Sequence, residues 1–254
     1  MRIWAVAFNT FKETIRNRIL INILLFAIGL ILLSLIVGDW SLNEQVKIIK
    51  DFGLSAMSIF GLLIAIFIGI RLMVQELEQR TIYIIASKPI HRWQIVSGKY
   101  LGLAMTLAIN VLLMSAALWG AGWIMEGRID FGLIPAIFLI YIEILLIVGF
   151  ALFFSTFISP TLSALMTLIV FVAGHLIGIL REYVQMFPDK GFHWLFKAMY
   201  TIFPNLEYLN LKMAVVEHLP RAPHAVIFGF LYGIGYILII HLITIWIFQK
   251  KDFK

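Results

Sequence analysis

Four polar side chains stand in the middle of long apolar runs, where ionisable and hydrogen-bonding groups are costly. They are Asn110, Glu143, His175 and His241. Glu143 lies in the run IFLIYIEILLIVGF and is the one carboxylate placed so deeply. Such a carboxylate predicts either a proton or metal step on a path lined by these four groups, or a structural role, as a hydrogen bond to a neighbouring helix or a protonated carboxyl in a protein-lined pocket.

Other chemistry is poorly supported by the spacing of the residues. Imidazole and carboxylate groups suit zinc or iron, but Glu143, His175 and His241 are not closely spaced. Phe171 and His175 match the F-x-x-x-H of intramembrane CAAX-type proteases, which also need a paired-glutamate motif, and the sequence has no Glu-Glu. There is no cysteine and no G-x-S-x-G nucleophile motif. We therefore predict no catalytic residues and no metal site.

The composition predicts a polytopic membrane protein. The 254 residues are 62% hydrophobic and 13% charged, whereas a globular protein averages about 25% charged residues. The G-x-x-x-x-G-K-[ST] loop that binds nucleotide phosphates is absent from the sequence. The net charge of +6 follows the expected membrane topology, so it does not indicate a nucleic-acid partner. We predict a single transmembrane domain over residues 1–254.

Six apolar runs are close to the roughly 20 residues that cross a bilayer. A helix with one apolar face is predicted to precede them over residues 2–16, as an interfacial elbow within residues 1–18. This start lacks the pattern of a cleavable signal peptide. The predicted fold is an all-α membrane helix bundle with spans at 19–38, 54–73, 100–124, 133–154, 162–180 and 226–248.

The distribution of basic residues predicts the orientation. Six spans place both termini on one side of the membrane, and that side carries twelve Lys and Arg residues. The short loops of the other side carry three. Because cytoplasmic loops are enriched in Lys and Arg, both termini are predicted to be cytoplasmic, in a multi-pass protein of the cytoplasmic (inner) membrane.

The polar segment from Arg71 to Lys99 interrupts the apolar pattern between the second and third spans. Thr81 is suited to cap a short helix, and Pro89 is expected to break it. A turn and a second helical piece beginning near His91 are then predicted. A short surface helix of this kind, joined directly to two spans, is able to transmit a push from another protein.

This segment resembles the cytoplasmic coupling segment of ABC-2 type permeases, the transmembrane subunits of type V-like ABC exporters. The family pattern runs E-x-x-x-G-T, then P-x-x-R, then G-K. The matching residues here are Glu76, Glu78, Thr81, Pro89, Arg92, Gly98 and Lys99. The chain departs from the pattern at Arg80, where glycine is usual, which affects the expected backbone turn.

The resemblance implies the partners and the contact residues. It implies a separate ABC ATPase subunit that binds ATP and Mg, a second permease copy and surrounding membrane lipid, with no cofactor in this chain. Homodimer and heterodimer remain open. The residues expected to touch the ATPase, here called the coupling surface, are Glu76, Glu78, Arg80, Thr81, Pro89, His91, Arg92 and Trp93.

Residues 181–225 form the largest predicted external piece, and they are too aromatic for a disordered linker. We predict short helices broken at Pro188, Pro204, Pro220 and Pro223 that either pack on the outer mouth of the bundle or dip into the membrane interface. The stretch Pro204, Asn205 and Leu206 is similar to a P-N-L element of the same permeases. Such a segment either gates substrate release or simply caps the bundle.

The sequence as a whole predicts the permease subunit of an ATP-driven ABC-type exporter with an unidentified substrate. Two alternatives remain: an ATP-independent secondary transporter or channel that uses Glu143, and a membrane scaffold that moves nothing.

Overall fold

The computed structural model describes residues 2–39, 44–78, 91–186, 203–217, 219 and 224–250. These residues form helices and loops without a strand, which confirms the predicted all-α class. Two short 3-10 helices span Phe131–Leu133 and Leu206–Leu209. The eight α-helices are α1 (Arg2–Ile15), α2 (Arg18–Asp39), α3 (Gln45–Glu78), α4 (Arg92–Glu126), α5 (Ile134–Ser155), α6 (Pro160–Met186), α7 (Lys212–Val216) and α8 (Ala225–Lys250).

Six of these helices, α2 to α6 and α8, are long and apolar enough to cross a membrane, which confirms the predicted number of spans. Two helices extend beyond the predicted spans. α3 continues past Met73 to Glu78, and α4 already begins at Arg92 rather than at Tyr100. Hydropathy marks only the bilayer-buried part of a helix, whereas the helical backbone continues into water. The segment between the end of α3 and the start of α4 is therefore only residues 79–91.

Helix α5 is the centre of the bundle and packs against α3, α4, α6 and α8. Most of its length is buried within the chain, whereas α2 and α8 expose most of theirs. The hydroxyl of Tyr100 on α4 donates to the carbonyl of Leu145 on α5 at 3.1 Å. A second hydroxyl, that of Tyr141, donates from α5 to the carbonyl of Ala104 on α4 at 3.0 Å. These bonds fix the register of α4 against the central helix.

Helix α1 packs along the first turns of α4, and small residues make this contact possible. A Cβ added at Gly98 would lie 2.6 Å from the Cβ of Val6, and one at Gly102 would lie 2.6 Å from the carbonyl oxygen of Ala7. Trp4 and Phe8 point away from the chain and are 66% and 52% exposed. A helix is thus present where the interfacial elbow is predicted, with its small residues on α4 and its large apolar residues outward.

We expect the Gly102→Ala variant to unfold at a lower temperature than the wild-type protein. The added methyl group meets the backbone of α1, which cannot rotate away, and overpacking of this kind typically costs about 1–3 kcal/mol. Gly120→Ala on the same helix is the control, because a Cβ there meets nothing within 4 Å. It should be neutral or slightly stabilising, because alanine is the better helix former. Equal unfolding temperatures of the two variants in detergent would show that α1 does not pack closely on α4.

One end of the bundle, here called the terminal end, holds α1, the last turn of α8, the last turns of α3 and the first turns of α4. Arg92 Nη1 donates to the carbonyl oxygen of Gln249 at 3.1 Å, which joins α4 to α8. The buried ammonium of Lys99 donates to the carbonyl oxygen of Leu72, which joins α4 to α3. The first and last helices therefore reach the same end of the bundle.

The opposite end is held by a buried cation that the sequence analysis missed. Lys50 Nζ on α3 lies 2.8 Å from Asp130 Oδ2 and 3.2 Å from Glu126 Oε1, at the junction of α4 and α5. The indole N–H of Trp119 donates to the backbone carbonyl of Asp130 at 3.1 Å. These contacts tie the start of α3 to the end of α4.

Within the predicted external segment 181–225, α6 continues through residue 186. Pro188, Pro220 and Pro223 lie outside the described residues, whereas residues 203–217 pack against α3, α5, α6 and α8. Leu206 and Leu209 are fully buried there. A Cβ added at Gly174 of α6 would lie 2.5 Å from Leu206 Cγ. The stretch around Pro204 is thus a buried cover on the bundle, as the aromatic and apolar composition predicted.

Candidate coupling surface and buried polar cluster

The coupling surface is divided between described and undescribed residues. Arg80, Thr81 and Pro89, together with the predicted short coupling helix, lie outside the described residues. Glu76 and Glu78 belong to the last turns of α3, and their side chains also lie outside the described part. The remaining three residues of this surface, His91, Arg92 and Trp93, begin α4 at the terminal end.

His91 is the residue before the first turn of α4 and has an extended backbone, with φ −70° and ψ 143°. Its backbone N–H donates to Gln94 Oε1 at 3.3 Å, which satisfies a donor near the helix start. The two residues that follow differ in their availability to a partner. Arg92 is bonded to the end of α8, whereas the ring of Trp93 is 39% exposed. Trp93 is therefore the more accessible large side chain.

Glu143 and His175, predicted separately from the sequence, meet inside the bundle. Glu143 on α5 is 1% exposed, and its Oε1 lies 3.3 Å from Nε2 of His175 on α6. Ser58 on α3 completes the cluster, because its hydroxyl donates to the same carboxyl group at 3.3 Å. Three helices thus contribute one polar group each to a site that is otherwise apolar.

The hydrogen bonds of the imidazole determine what this cluster can do. His175 Nδ1 lies 3.0 Å from the carbonyl oxygen of Phe171, an acceptor, so Nδ1 carries a proton. Nε2 is buried and is close to Glu143 without the alignment of a formed hydrogen bond. A single further proton can reside on either partner, giving a neutral acid beside a neutral imidazole or an ion pair. The cluster therefore either holds a proton between these two side chains or serves as a structural contact between the helices.

The stretch Pro204–Leu209 packs beside the cluster. Leu206 packs on Gly174, the residue next to His175. Lys212 and Glu207, which follow in the same segment, are the two other charged groups that act electrostatically on Glu143. The segment therefore places one packed leucine and two charged groups near this cluster.

The other two predicted polar groups do not join the cluster. Asn110 Nδ2 donates to the carbonyl oxygen of Thr106 one turn earlier at 2.8 Å, and its Oδ1 is buried without a partner. His241 Nε2 lies 2.9 Å from Ser97 Oγ, and its ring packs on Tyr100. Among the described residues no three His, Cys, Asp or Glu side chains lie together as a metal site would require. The structure thus divides the four groups into three separate environments.

Comparison with protein families decides what kind of membrane protein this is. A sequence model described as ABC-2 family transporter protein matches residues 4–253. The chain belongs to this family. Comparison with individual curated proteins gives no match. With its six candidate spans, this ABC-2 type permease is a multi-pass membrane protein.

The packing of the ABC-2 permease explains two residues of its motif. Gly98 allows α1 to approach α4, and Lys99 donates from α4 to the backbone of α3. Both residues therefore hold α1, α3 and α4 together at the terminal end. Sequence reasoning missed Ser58 and Lys50, since a serine in an apolar helix and a lysine at its start are common and give no signal of their partners.

Proposed function

We propose that this ABC-2 permease is the transmembrane subunit of an ATP-driven export complex of the cytoplasmic membrane, with both termini in the cytoplasm. A separate nucleotide-binding subunit binds ATP and Mg, and its movement acts on the coupling surface. A second permease copy completes the path for an unidentified substrate. The observation that carries the proposal is the exposed Trp93 at the terminal end of a chain of this family. The last turns of α3, the first turns of α4 and helix α1 lie at the same end.

The packing at the terminal end supports a mechanical role for the coupling surface. The undescribed residues 79–90 connect the last turn of α3 directly to the first turn of α4. Lys99 joins these two helices, and Gly98 lies against α1. A partner that pushes on the coupling surface, which runs from Glu76 to Trp93, would therefore move α1, α3 and α4 together. A shift of this kind biases the equilibrium between two orientations of the path.

We expect Trp93→Ala to weaken the association with the ATPase subunit by about tenfold, because exposed tryptophans often dominate interfaces. The tagged full-length protein would be purified from its native membrane in mild detergent, and the co-purified proteins would be quantified by mass spectrometry. The expected partner contains a P-loop and appears at one copy per permease.

Trp123→Ala is the matched control, since Trp123 lies on the same helix at the opposite end and is 59% exposed. It should leave the recovery of the ATPase unchanged. Intact, monodisperse wild-type protein that recovers no P-loop protein would contradict the export proposal. Equal recovery with both tryptophan variants would instead place the contact elsewhere.

The Glu143 and His175 contact favours a second candidate, an ATP-independent transporter that uses a proton at this cluster. It predicts that the purified chain alone, in liposomes, moves substrate or protons down an imposed pH gradient. Glu143→Gln should abolish that flux. Flux that requires an added ATPase and ATP would exclude this candidate. A scaffold would show no flux under either condition.

A further inference from the structure

A polar cavity of about 320 Å³ lies at the terminal end, between the α1–α2 junction and the last turns of α3. Two arginines from different helices line it, Arg18 at the start of α2 and Arg71 on α3. Neither arginine takes part in the ion pairs formed by the described residues. We propose that this cavity binds the headgroup of an anionic phospholipid, with Arg18 and Arg71 as the ligands of its phosphate.

The position of the two arginines along their helices places them at the membrane surface. α2 has 22 residues, which is about 33 Å at 1.5 Å per residue. Arg71 lies 21 residues along α3 from Lys50 at the opposite end, which is about 32 Å. Both lengths match a hydrocarbon core of about 30 Å. Arg18 and Arg71 line the same cavity, and these lengths put both near one surface of the membrane, within reach of lipid headgroups.

The other lining residues fit the remainder of a headgroup. Asn17 and Gln75 supply amide groups, and Glu13 supplies a carboxylate able to accept hydrogen bonds from headgroup hydroxyls. The two arginines and one glutamate give the cavity a net charge of +1. A headgroup with one phosphodiester and free hydroxyls, such as that of phosphatidylglycerol, balances this charge. Arginine pairs phosphate oxygens with two parallel hydrogen bonds, which favours phosphate as the recognised group.

The surface next to the cavity favours a lipid over a soluble anion. Ile19 lines the cavity and is also exposed. Farther along α2, large apolar side chains continue the exposed surface toward the opposite end, among them Leu25, Phe26 and Leu33. A headgroup bound between Arg18 and Arg71 would place its acyl chains along this face. A soluble phosphate would use only the arginines.

The test measures which lipids the full-length protein retains. Wild-type protein would be exchanged into mixed vesicles of equal phosphatidylglycerol and phosphatidylcholine, extracted in detergent, and its bound lipids quantified by mass spectrometry. We expect phosphatidylglycerol to be enriched in the wild-type protein, and Arg18→Gln with Arg71→Gln to reduce this enrichment about tenfold. Glu13→Gln should increase it, because the lining then carries a charge of +2. Arg128→Gln, on an exposed arginine at the opposite end, is the control and should change nothing.

Two further measurements, with a second double variant and with inorganic phosphate, complete the test. If the double glutamine variant does not fold, Arg18→Lys with Arg71→Lys keeps the charge but loses the paired hydrogen bonds, and an intermediate enrichment is expected. Equal retention of the two lipids by the wild-type protein, or unchanged enrichment in both double variants, would overturn the proposal. Complete displacement of phosphatidylglycerol by inorganic phosphate, compared with chloride at the same ionic strength, would overturn it in favour of a soluble anion. None of these outcomes depends on whether an ATPase binds.

Discussion

Replacing Lys50 by methionine is expected to lower the free energy of unfolding by about 3 kcal/mol, because Asp130 would lose the cation at 2.8 Å and Glu126 would keep only the exposed Arg128. Lys50 is buried, and it approaches Asp130 at 2.8 Å and Glu126 at 3.2 Å. Methionine keeps the length and the apolar packing of the side chain, so the loss of stability measures the contribution of the charge. The measurement is thermal unfolding of the purified protein in detergent.

Lys47→Met provides the matched comparison on the same helix. Lys47 pairs with Glu44 at 3.2 Å, but both side chains are about half exposed or more. Exposed pairs contribute at most about 1 kcal/mol, so this variant should unfold close to the wild-type temperature. High salt should reduce the small loss of stability in Lys47→Met, and it should leave most of the loss of stability in Lys50→Met. A Lys50→Met protein as stable as Lys47→Met would show that the buried ion pair does not hold α3 to α4.

Removing the Glu143 side chain is expected to have a comparably large effect on stability. Glu143→Ala deletes the acceptor of the Ser58 hydroxyl, which leaves a buried donor unsatisfied at about 1–3 kcal/mol. It also opens a cavity in the most buried helix of the bundle, and large-to-alanine changes at such positions cost about 2–5 kcal/mol. The unfolding temperature should fall more than for any single exposed substitution.

Glu143→Gln separates a structural role of this carboxyl from a functional one. The amide has the same shape, its oxygen can accept from Ser58, and its NH₂ can donate to Nε2 of His175. We therefore expect near wild-type stability, together with loss of transport if the proton of this cluster is used. Reconstituted transport is compared at matched expression and matched unfolding temperature. Normal transport by a stable Glu143→Gln protein would assign Glu143 to packing alone.

The number of spans and the all-α class were predictable, whereas the full lengths of the helices were not. Apolar runs such as the one around Glu143 identify a span directly, because no soluble helix needs so long an apolar sequence. α3 and α4 are longer than predicted since their extensions are polar, and a helical backbone satisfies its own hydrogen bonds whatever the side chains. The break before Arg92 was predictable because proline at position 89 restricts the residue before it.

The candidate groups were identified by type, but their partners were not. Glu143 and His175 are 32 residues apart, and only the antiparallel packing of α5 and α6 brings them together. His241 has the same kind of apolar sequence neighbours, yet it faces Ser97 on α4. A single sequence, read alone, gives the depth of a polar residue in a span. It does not give the direction in which that residue faces.

The contacts at the two ends of α3 and α4 have a mechanical consequence. Lys50 fixes these helices at the opposite end, and Lys99 fixes them at the terminal end. From Lys50 to Leu72 the two attachment points lie about 33 Å apart along α3. Sliding by one helical turn, about 5.4 Å, would break both attachments at once. Helices α3 and α4 therefore resist sliding past each other and tilt as one rigid body. A tilt of about 5° moves the far end of the two helices by about 3 Å over that length.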